Sequence, residues 1–428
     1  MILVDNVLRQ REKANNPIKV GLIGCGEMSK GMINQITNYT PGMQVVAVYN
    51  RTVEKVIKAF EYAGITEFKE VNNLNAFADS IKKGVPVITQ DIQLLTRGEG
   101  CDIIVEVTGT IDFALKAILD AFAHGKHVLS FNAELDATLG PLLKHKAEKA
   151  GVMYSLGDGD QPGVTLNLYR FVKSMGFKPV LCGNIKGLQD HYRNPTTQQS
   201  FAKSWDMTPE MVTSFADGTK ISFEQAAIAN ATNMRVAKRG MYGYHSKEHV
   251  DDLTSLYNLE ELMNLGGIVD YVVGAKPGPG VFIYATTDDS LSKKYLKYGK
   301  LGEGPLYSFY IPYHLLFFEI AISISRMIDF KDMIVSPIAG TVVEVVATSK
   351  VALNAGDKID GLGGYKTYGV CENFDVARSE NLLPMGLAEG SVVKKDLPVD
   401  HFLTFDDVIM SQDSLPYRLY LEQLELFK

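Results

Sequence analysis

Short apolar runs alternate with segments of helical spacing through the first third of the chain. IKVGLIG (18–24) is a continuous apolar run ending in glycine and predicts a buried strand. A helix is expected from Glu27 to Ile36, a second strand over MQVVAVYN (43–50), and a helix capped by Thr52 running to Ala63. Residues 65–100 are less regular and predict one or two further helices. CDIIVEVTG (101–109) predicts another buried strand. IDFALKAILDAFAHG (111–125) has its apolar residues at helical spacing and ends in a glycine stop signal. KHVLSFN (126–132) and GVMYSLG (151–157) return to strand. Strands alternating with helices imply a parallel, doubly wound sheet with right-handed crossovers.

The pattern changes near Gln161. QPGVTLNLYRFVKSMGF reads as a helix leaving the sheet, and LCGNIKGLQDHYRNPTTQQ (181–199) as a strand passing into a polar loop. Between 208 and 330, helical stretches mix with strand-like runs such as GIVDYVVGA (267–275) and GVFIYATT (280–287), as in a separate α+β domain. The run HLLFFEIAISISRMI (314–328) carries Glu319 and Arg326 and is too short to span a bilayer, so it reads as a buried helix. From Lys331 onward β-branched residues with glycine punctuation predict a small β-rich module, and LYLEQLELF (419–427) a final packing or subunit-contact helix. The expected organisation is α/β: a Rossmann domain over 1–160, an α+β substrate domain over 161–330, and a β-rich module over 331–428.

Composition narrows the function classes. The chain has 428 residues, 46% hydrophobic and 22% charged, which excludes a disordered or fibrous protein. A net charge of −7 argues against nucleic acid as a partner. The four cysteines form no CxxC pair, so neither a disulfide framework nor a zinc finger is expected. The charged start MILVDNVLRQREKANN lacks the apolar core of a signal peptide and reads as a short helix. A cytoplasmic protein with no membrane partner is the expectation.

The most specific local signal is VGLIGCGEMSKG (20–31). Gly24 allows a tight turn and Gly26 a close approach of backbone to a pyrophosphate. Glu27 and Met28 then open a helix whose free N–H groups favour an anion. The third glycine of the usual pattern is replaced by Ser29, with Gly31 following. The turn opens a strand–helix unit, as dinucleotide binding requires. The second strand ends Asn50-Arg51-Thr52, without the carboxylate that would hold a free ribose 2′-hydroxyl. Arg51 and Thr52 suit a 2′-phosphate, so NADP(H) is expected over NAD(H). Thr108, Gly109 and Thr110 end a later strand at the cofactor edge. Asn132 and Glu134 follow the next strand, at the edge where ligands bind.

The strings VEVTGT, GKHVLSFNAE and LGDGDQPG resemble homoserine dehydrogenase-like oxidoreductases, and the C-terminal module resembles an SAF domain. Together with AAIANAT (226–232), GIVDYVVG (267–274), PGVF (279–282) and GKLGEGPLYSFYIPYHL (299–315), nearly the whole chain resembles the 1-deoxy-D-xylulose 5-phosphate reductoisomerase-like oxidoreductases. That resemblance implies NADP-dependent reduction of a small phosphorylated sugar or polyol precursor, with skeletal rearrangement as a further option, in a homodimer. Two departures bear on the substrate. A lysine-rich patch of the family is reduced here to Lys186, within Gly183–Asp190, and IPYH replaces a version beginning with arginine. Two other readings remain open: reduction of an amino-acid semialdehyde, and a non-catalytic NADP-binding sensor or scaffold.

Hydride transfer to a carbonyl needs a group that stabilises or protonates the developing oxyanion. The resemblance places Lys186 in that role. His191 and Arg193 in DHYRNP suit a phosphate or carboxylate, or equally a solvated loop. His314, next to Tyr313 at the start of an apolar helix, is a candidate catalytic residue or a cap. Asp160, with Asp158, is a candidate for catalysis or for a divalent cation such as Mg²⁺ or Mn²⁺. Glu134, Lys238 and Tyr313 complete the candidate substrate contacts. Lys238 lies in RVAKRGMYGYH with Arg239, Tyr242 and His245, a cluster that reads as a glycine-hinged lid or as an ordinary loop.

Overall fold

The computed structural model describes residues 2–427. The chain forms two compact units. The first comprises the residues up to Asp136, then Leu142–Gly163 and Leu315–Ser336. The second comprises Ala137–Pro141, Val164–His314 and the chain from Pro337 onward.

The first unit is a seven-stranded parallel sheet. Its strands in chain order are β1 (Ile18–Ile23), β2 (Met43–Tyr49), β3 (Lys69–Glu70), β4 (Val87–Thr89), β5 (Ile103–Glu106), β6 (His127–Ser130) and β7 (Tyr154–Leu156). They lie in the order β3-β4-β2-β1-β5-β6-β7. The strand order reverses at β1 and β5, the switch point where ligands bind in open α/β sheets. The central strands are buried on both faces: Ile18, Val20, Leu22, Ile103 and Val105 are all fully inaccessible. That is why they read as continuous apolar runs rather than alternating ones. Between 65 and 100 the chain forms helices Leu74–Lys82 and Ile92–Arg97, plus the short strands β3 and β4. Two or three residues per strand were too few to show as a pattern.

The segment after His314 belongs to this unit and not to a middle domain. A short turn of 3-10 helix, Leu316–Glu319, leads into helix Ile320–Phe330. Ile320, Ile324 and Met327, at helical spacing, enter the same core as Met32, Ile33 and Ile36. Arg326 ion-pairs with Asp158 and with Asp332, and Arg11 with Asp329 at 2.7 Å.

The second unit is built on a five-stranded mixed sheet. Its strands are β8 (Lys178–Lys186), β9 (Tyr244–His245), β10 (Ile268–Val273), β11 (Gly280–Thr286) and β12 (Tyr307–Ile311), in the order β12-β11-β8-β10-β9. β10 runs parallel to β8, while β11 is antiparallel to both β8 and β12. The C-terminal segment adds two antiparallel ribbons, β13 (Val343–Ser349) with β14 (Thr367–Asn373), and β15 (Val392–Val393) with β16 (Val408–Ile409). It closes with helix Leu415–Leu426.

The boundary expected at 330/331 is corrected here, because helix Thr219–Thr232 ties the C-terminal ribbon into the second unit. This helix is buried on nearly every side. Ser222 Oγ donates to Gly369 O at 3.0 Å, Thr219 Oγ1 accepts from Gly369 N at 2.9 Å, and Asn230 Oδ1 accepts from the Val342 and Val343 N–H groups. On its other side Gln225 donates to Asp270 O on β10 at 2.6 Å. The small residues of AAIANAT allow that close packing on two sides. Among the described residues no helix is long and apolar enough to cross a membrane, and all four cysteines are free and buried.

Candidate functional site

The cofactor edge lies at the carboxyl ends of β1, β2, β5 and β6. Gly24 has φ +99°, which favours glycine, and a Cβ there would lie 3.2 Å from Val107 O. Gly26 precedes helix Glu27–Tyr39, and a Cβ on it would meet nothing within 4 Å. Space is therefore open beside the helix N-terminus, where the Glu27 and Met28 N–H groups point out of the first turn. Ser29 is buried and its hydroxyl donates to Gly24 O at 2.7 Å, tightening the turn. The close-packing role of a third glycine falls to Gly31, whose missing Cβ would lie 2.6 Å from the Phe317 ring. Asn50 holds the turn from the second strand: its Oδ1 accepts from Cys25 N at 3.1 Å and its Nδ2 donates to Thr52 O at 2.8 Å.

Arg51 and Thr52 are exposed. The Arg51 guanidinium makes no hydrogen bond or ion pair among the described residues, and Thr52 precedes helix Val53–Tyr62 without a side-chain cap bond. Both side chains are therefore available to a ligand at the end of β2. The residues present fit a nicotinamide dinucleotide: an open helix N-terminus for the pyrophosphate and a free cation and hydroxyl for the ribose end.

Glu106, at the end of β5, was missed in the sequence reading. It is fully buried and accepts from Thr108 N and Thr108 Oγ1, both at 2.6 Å, and from Ser130 Oγ at 2.8 Å. It fixes the turn of Thr108, Gly109 and Thr110. Burial pushes its carboxyl up, and these three donors oppose the shift. Its signal was a charged residue inside an otherwise apolar strand. Asn132 caps helix Ala133–Lys149 through Leu135 N at 3.0 Å and donates to Thr110 O at 3.0 Å, so it braces the same turn. Glu134 is buried in the first turn of that helix, where its charge adds to the upward push on Glu106. Asp136 is buried as well, and burial pushes its carboxyl up to about 7.

Asp160 also lies in the first unit. Its Oδ1 accepts from Gln161 N at 2.9 Å, at the start of helix Gln161–Ser174. Asp158 is fully buried, paired with Arg326 and anchored through its N–H to Ser323 Oγ at 2.8 Å. Among the described residues no three His, Cys, Asp or Glu side chains gather as a metal site. Asp158 Oδ1 is engaged by Arg326 and Asp160 Oδ1 by the start of its helix.

The second unit gathers Lys186, His191 and Arg193 around the C-terminal end of helix Pro209–Asp217. Lys186 closes β8, and its Nζ donates to Phe215 O at 2.9 Å. A helix C-terminus favours a cation. Burial nevertheless pushes the Lys186 ammonium down to about 8, against the upward pull of Glu224 and then Asp217. His191 donates from Nδ1 to Asp217 O at 2.7 Å and stacks on Tyr368 with ring centres 4.4 Å apart. Its Nε2 is therefore the nitrogen left to face a ligand. Arg193 pairs with Asp190 at 2.9 Å in a half-exposed contact that stays weak in solvent. Asp217, Glu224 and Lys350 were not singled out from sequence. Asp217 and Glu224 sit in a helical stretch that reads as ordinary, and Lys350 is far away along the chain.

The remaining candidates lie elsewhere in the second unit. Lys238 is exposed over the Tyr242 ring at 5.5 Å, and Tyr313 is exposed. Neither bonds to the Lys186 group among the described residues. The His314 Nδ1 is buried without a hydrogen-bond partner among the described residues. The lid reading of 235–245 is corrected. Arg239 is pinned by Glu372 at 2.5 Å and Glu380 at 2.6 Å, Gly240 N by Cys371 O, and the Tyr242 and Gly243 N–H groups by the buried Asp270.

The fold and the glycine turn define a Rossmann-type dinucleotide-binding domain joined to a second α+β unit. Residues 24–156 match the family model for the homoserine dehydrogenase NAD-binding domain, and residues 159–320 match that for the catalytic domain of the oxidoreductase DRL. By these matches the chain carries a nicotinamide-dinucleotide domain followed by an oxidoreductase catalytic domain. Similar curated proteins include the homoserine dehydrogenase of Mycobacterium leprae, 40% identical over 75 residues, which is 17% of this chain and 17% of the relative. The homoserine dehydrogenase of Synechocystis sp. is 26% identical over 137 residues, 32% of this chain and 28% of the relative. The chain thus spans less than a third of the length of either relative. Among solved structures, a probable dehydrogenase from Thermotoga maritima aligns at TM-score 0.42 and 12% identity, covering 74% of this chain and 91% of that one. A scyllo-inositol dehydrogenase from Lactobacillus casei with bound NAD(H) and scyllo-inositol aligns at TM-score 0.38 and 14% identity, over 68% and 76%.

Proposed function

We propose that the protein is an NADP-dependent oxidoreductase that reduces a carbonyl of a small phosphorylated sugar or polyol precursor. The observation that carries this reading is Lys186, an ammonium held at the C-terminal end of helix Pro209–Asp217, the same end that His191 bonds. Bound NADPH supplies the hydride. Lys186, still protonated at neutral pH, donates a hydrogen bond and then its proton to the carbonyl oxygen as that oxygen gains charge. The Glu224 and Asp217 carboxylates keep the ammonium form populated despite burial. His191, through Nε2, and Arg193 hold the anionic end of the substrate. The unengaged Arg51 and Thr52 take the 2′-phosphate of the cofactor.

The family-level reading, a 1-deoxy-D-xylulose 5-phosphate reductoisomerase-like enzyme, is supported by the match of 159–320 to the DRL catalytic domain and by the sequence strings shared with that family. Its C-terminal segment takes the SAF-like role, and a homodimer and a cytoplasmic setting go with it. No rearrangement step is assigned. The test is NADPH oxidation by the purified protein with 1-deoxy-D-xylulose 5-phosphate, with and without added Mn²⁺, beside aspartate semialdehyde. Turnover of the sugar phosphate supports the reading. Turnover of the semialdehyde alone replaces it with a homoserine dehydrogenase-like activity. Cofactor binding without turnover of either overturns the sugar-phosphate assignment.

A further inference from the structure

Lys350 follows β13 and is far from Lys186 in sequence, yet its side chain is 1% exposed within the same cluster. Its three ammonium hydrogens have three acceptors. Nζ donates to Asp217 Oδ2 at 2.8 Å, to Arg193 O at 2.8 Å and to Gly364 O at 2.7 Å. These acceptors come from three separate segments: the end of helix Pro209–Asp217, the loop carrying His191 and Arg193, and the turn before β14. A lysine has no other donors to give, so the geometry is saturated. Asp217 is fully buried, and its other oxygen accepts from Thr219 N at 2.8 Å. The same C-terminal segment grips the loop once more, through Tyr192 to Asp400 at 2.7 Å, and the following helix Pro195–Ser204 through Thr196 to Tyr365 at 2.9 Å.

We propose that Lys350 is a positioning residue of the Lys186 site: by pairing with Asp217 it reduces the carboxylate charge that Lys186 faces, and by bonding Arg193 O it fixes the substrate loop. The C-terminal segment is then a working wall of the site. The charged groups facing Lys186 are Glu224 from helix Thr219–Thr232 and Asp217 from the preceding helix. Asp217 carries the Lys350 ammonium on Oδ2. His191, Arg193 and Asp190 stand on the loop beside them. With Lys350 in place, Asp217 is a paired charge and Glu224 is the principal carboxylate holding the Lys186 proton. Without Lys350, two carboxylates hold it, and the proton becomes harder to give up.

This inference rests on Lys186 as the proton-donating residue, but its test needs no substrate. The readout is the pH dependence of Lys186 acetylation by trace acetic anhydride in the full-length protein, read by peptide mass spectrometry. Lys350→Met should raise the Lys186 midpoint by about one unit, a tenfold change in its free-amine fraction at fixed pH. Lys350→Arg should hold it near the wild-type value. Asp217→Asn leaves the Lys350 charge bare and should lower the midpoint, and combining it with Lys350→Met should return it toward wild type. An unchanged Lys186 midpoint in folded Lys350→Met overturns the proposal. Should Lys350→Met fail to fold, the Asp217→Asn shift decides alone, and a midpoint that does not fall overturns it equally. A shifted midpoint together with no turnover of any carbonyl would overturn the functional reading and leave the charge coupling standing.

Discussion

The cofactor edge and the lysine site are held in different ways. At the edge, uncharged groups do most of the bracing: Ser29 on Gly24 O, Asn50 on Cys25 N, Asn132 on Thr110 O. Its one buried carboxylate among these contacts, Glu106, is satisfied by three neutral donors. Near Lys186 the buried brace is an ion pair, Lys350 on Asp217, with Glu224 nearby. A neutral brace tolerates changes of pH and charge. A buried ion pair is strongly destabilising when one member is removed, because the other charge is left unpaired. The edge is therefore a preformed cradle, and the lysine site is a set of coupled charges.

The largest expected effect is on chemistry. Lys186→Met should lower kcat for NADPH-driven carbonyl reduction by about 100-fold, the usual range for losing a proton donor. NADPH affinity, measured by fluorescence titration, should not move. In the wild type, reduction should slow as pH rises through about 8, where Lys186 loses its proton. A flat alkaline limb would separate Lys186 from the chemical step.

Gly31→Val tests the edge by packing. A side chain there meets the Phe317 ring and should cost about 1–3 kcal/mol in denaturant unfolding. Wild-type stability in that variant would show that the helix is not held where the structure has it. Arg51→Ala should weaken NADPH binding about tenfold, about 1.4 kcal/mol, and leave NADH binding unchanged. Equal losses for both cofactors would remove the 2′-phosphate role of Arg51.

The smallest effect concerns Asp136. Its carboxyl is raised by burial from 3.8 to about 7, so between these values the folded chain holds a proton that the unfolded chain releases. The stability tied to that proton is full below about pH 4 and is lost as pH rises through about 7. Asp136→Asn keeps the group neutral. Its thermal midpoint should match wild type at pH 4 and exceed it at pH 8, where the wild type carries the buried charge. A difference from wild type that does not change with pH would show that folding does not raise the Asp136 carboxyl.

The same contrast explains what was legible in the sequence. The first unit's central strands, the glycine turn and the Arg51-Thr52 ending are local, within reach of period and spacing rules. Lys186 and His191 were picked out through family resemblance and loop chemistry. Asp217 and Lys350 could not be, because they meet across 133 positions of sequence. The helix Ile320–Phe330 shows the same limit. Its apolar spacing announced a buried helix, but only packing against Met32, Ile33 and Ile36 shows which unit it completes. Asp158 and Asp160 read as a solvated turn or a ligand pair, and the sequence could not show that Asp158 is buried and paired with the distant Arg326.

The most direct test of the account is a side-by-side measurement of NADPH oxidation by wild type and Lys186→Met with 1-deoxy-D-xylulose 5-phosphate, at saturating cofactor across pH 6 to 10. The account predicts wild-type turnover that declines above about pH 8 and a variant about 100-fold slower with no such decline. Equal rates in the two proteins, or a decline that persists without Lys186, would contradict it.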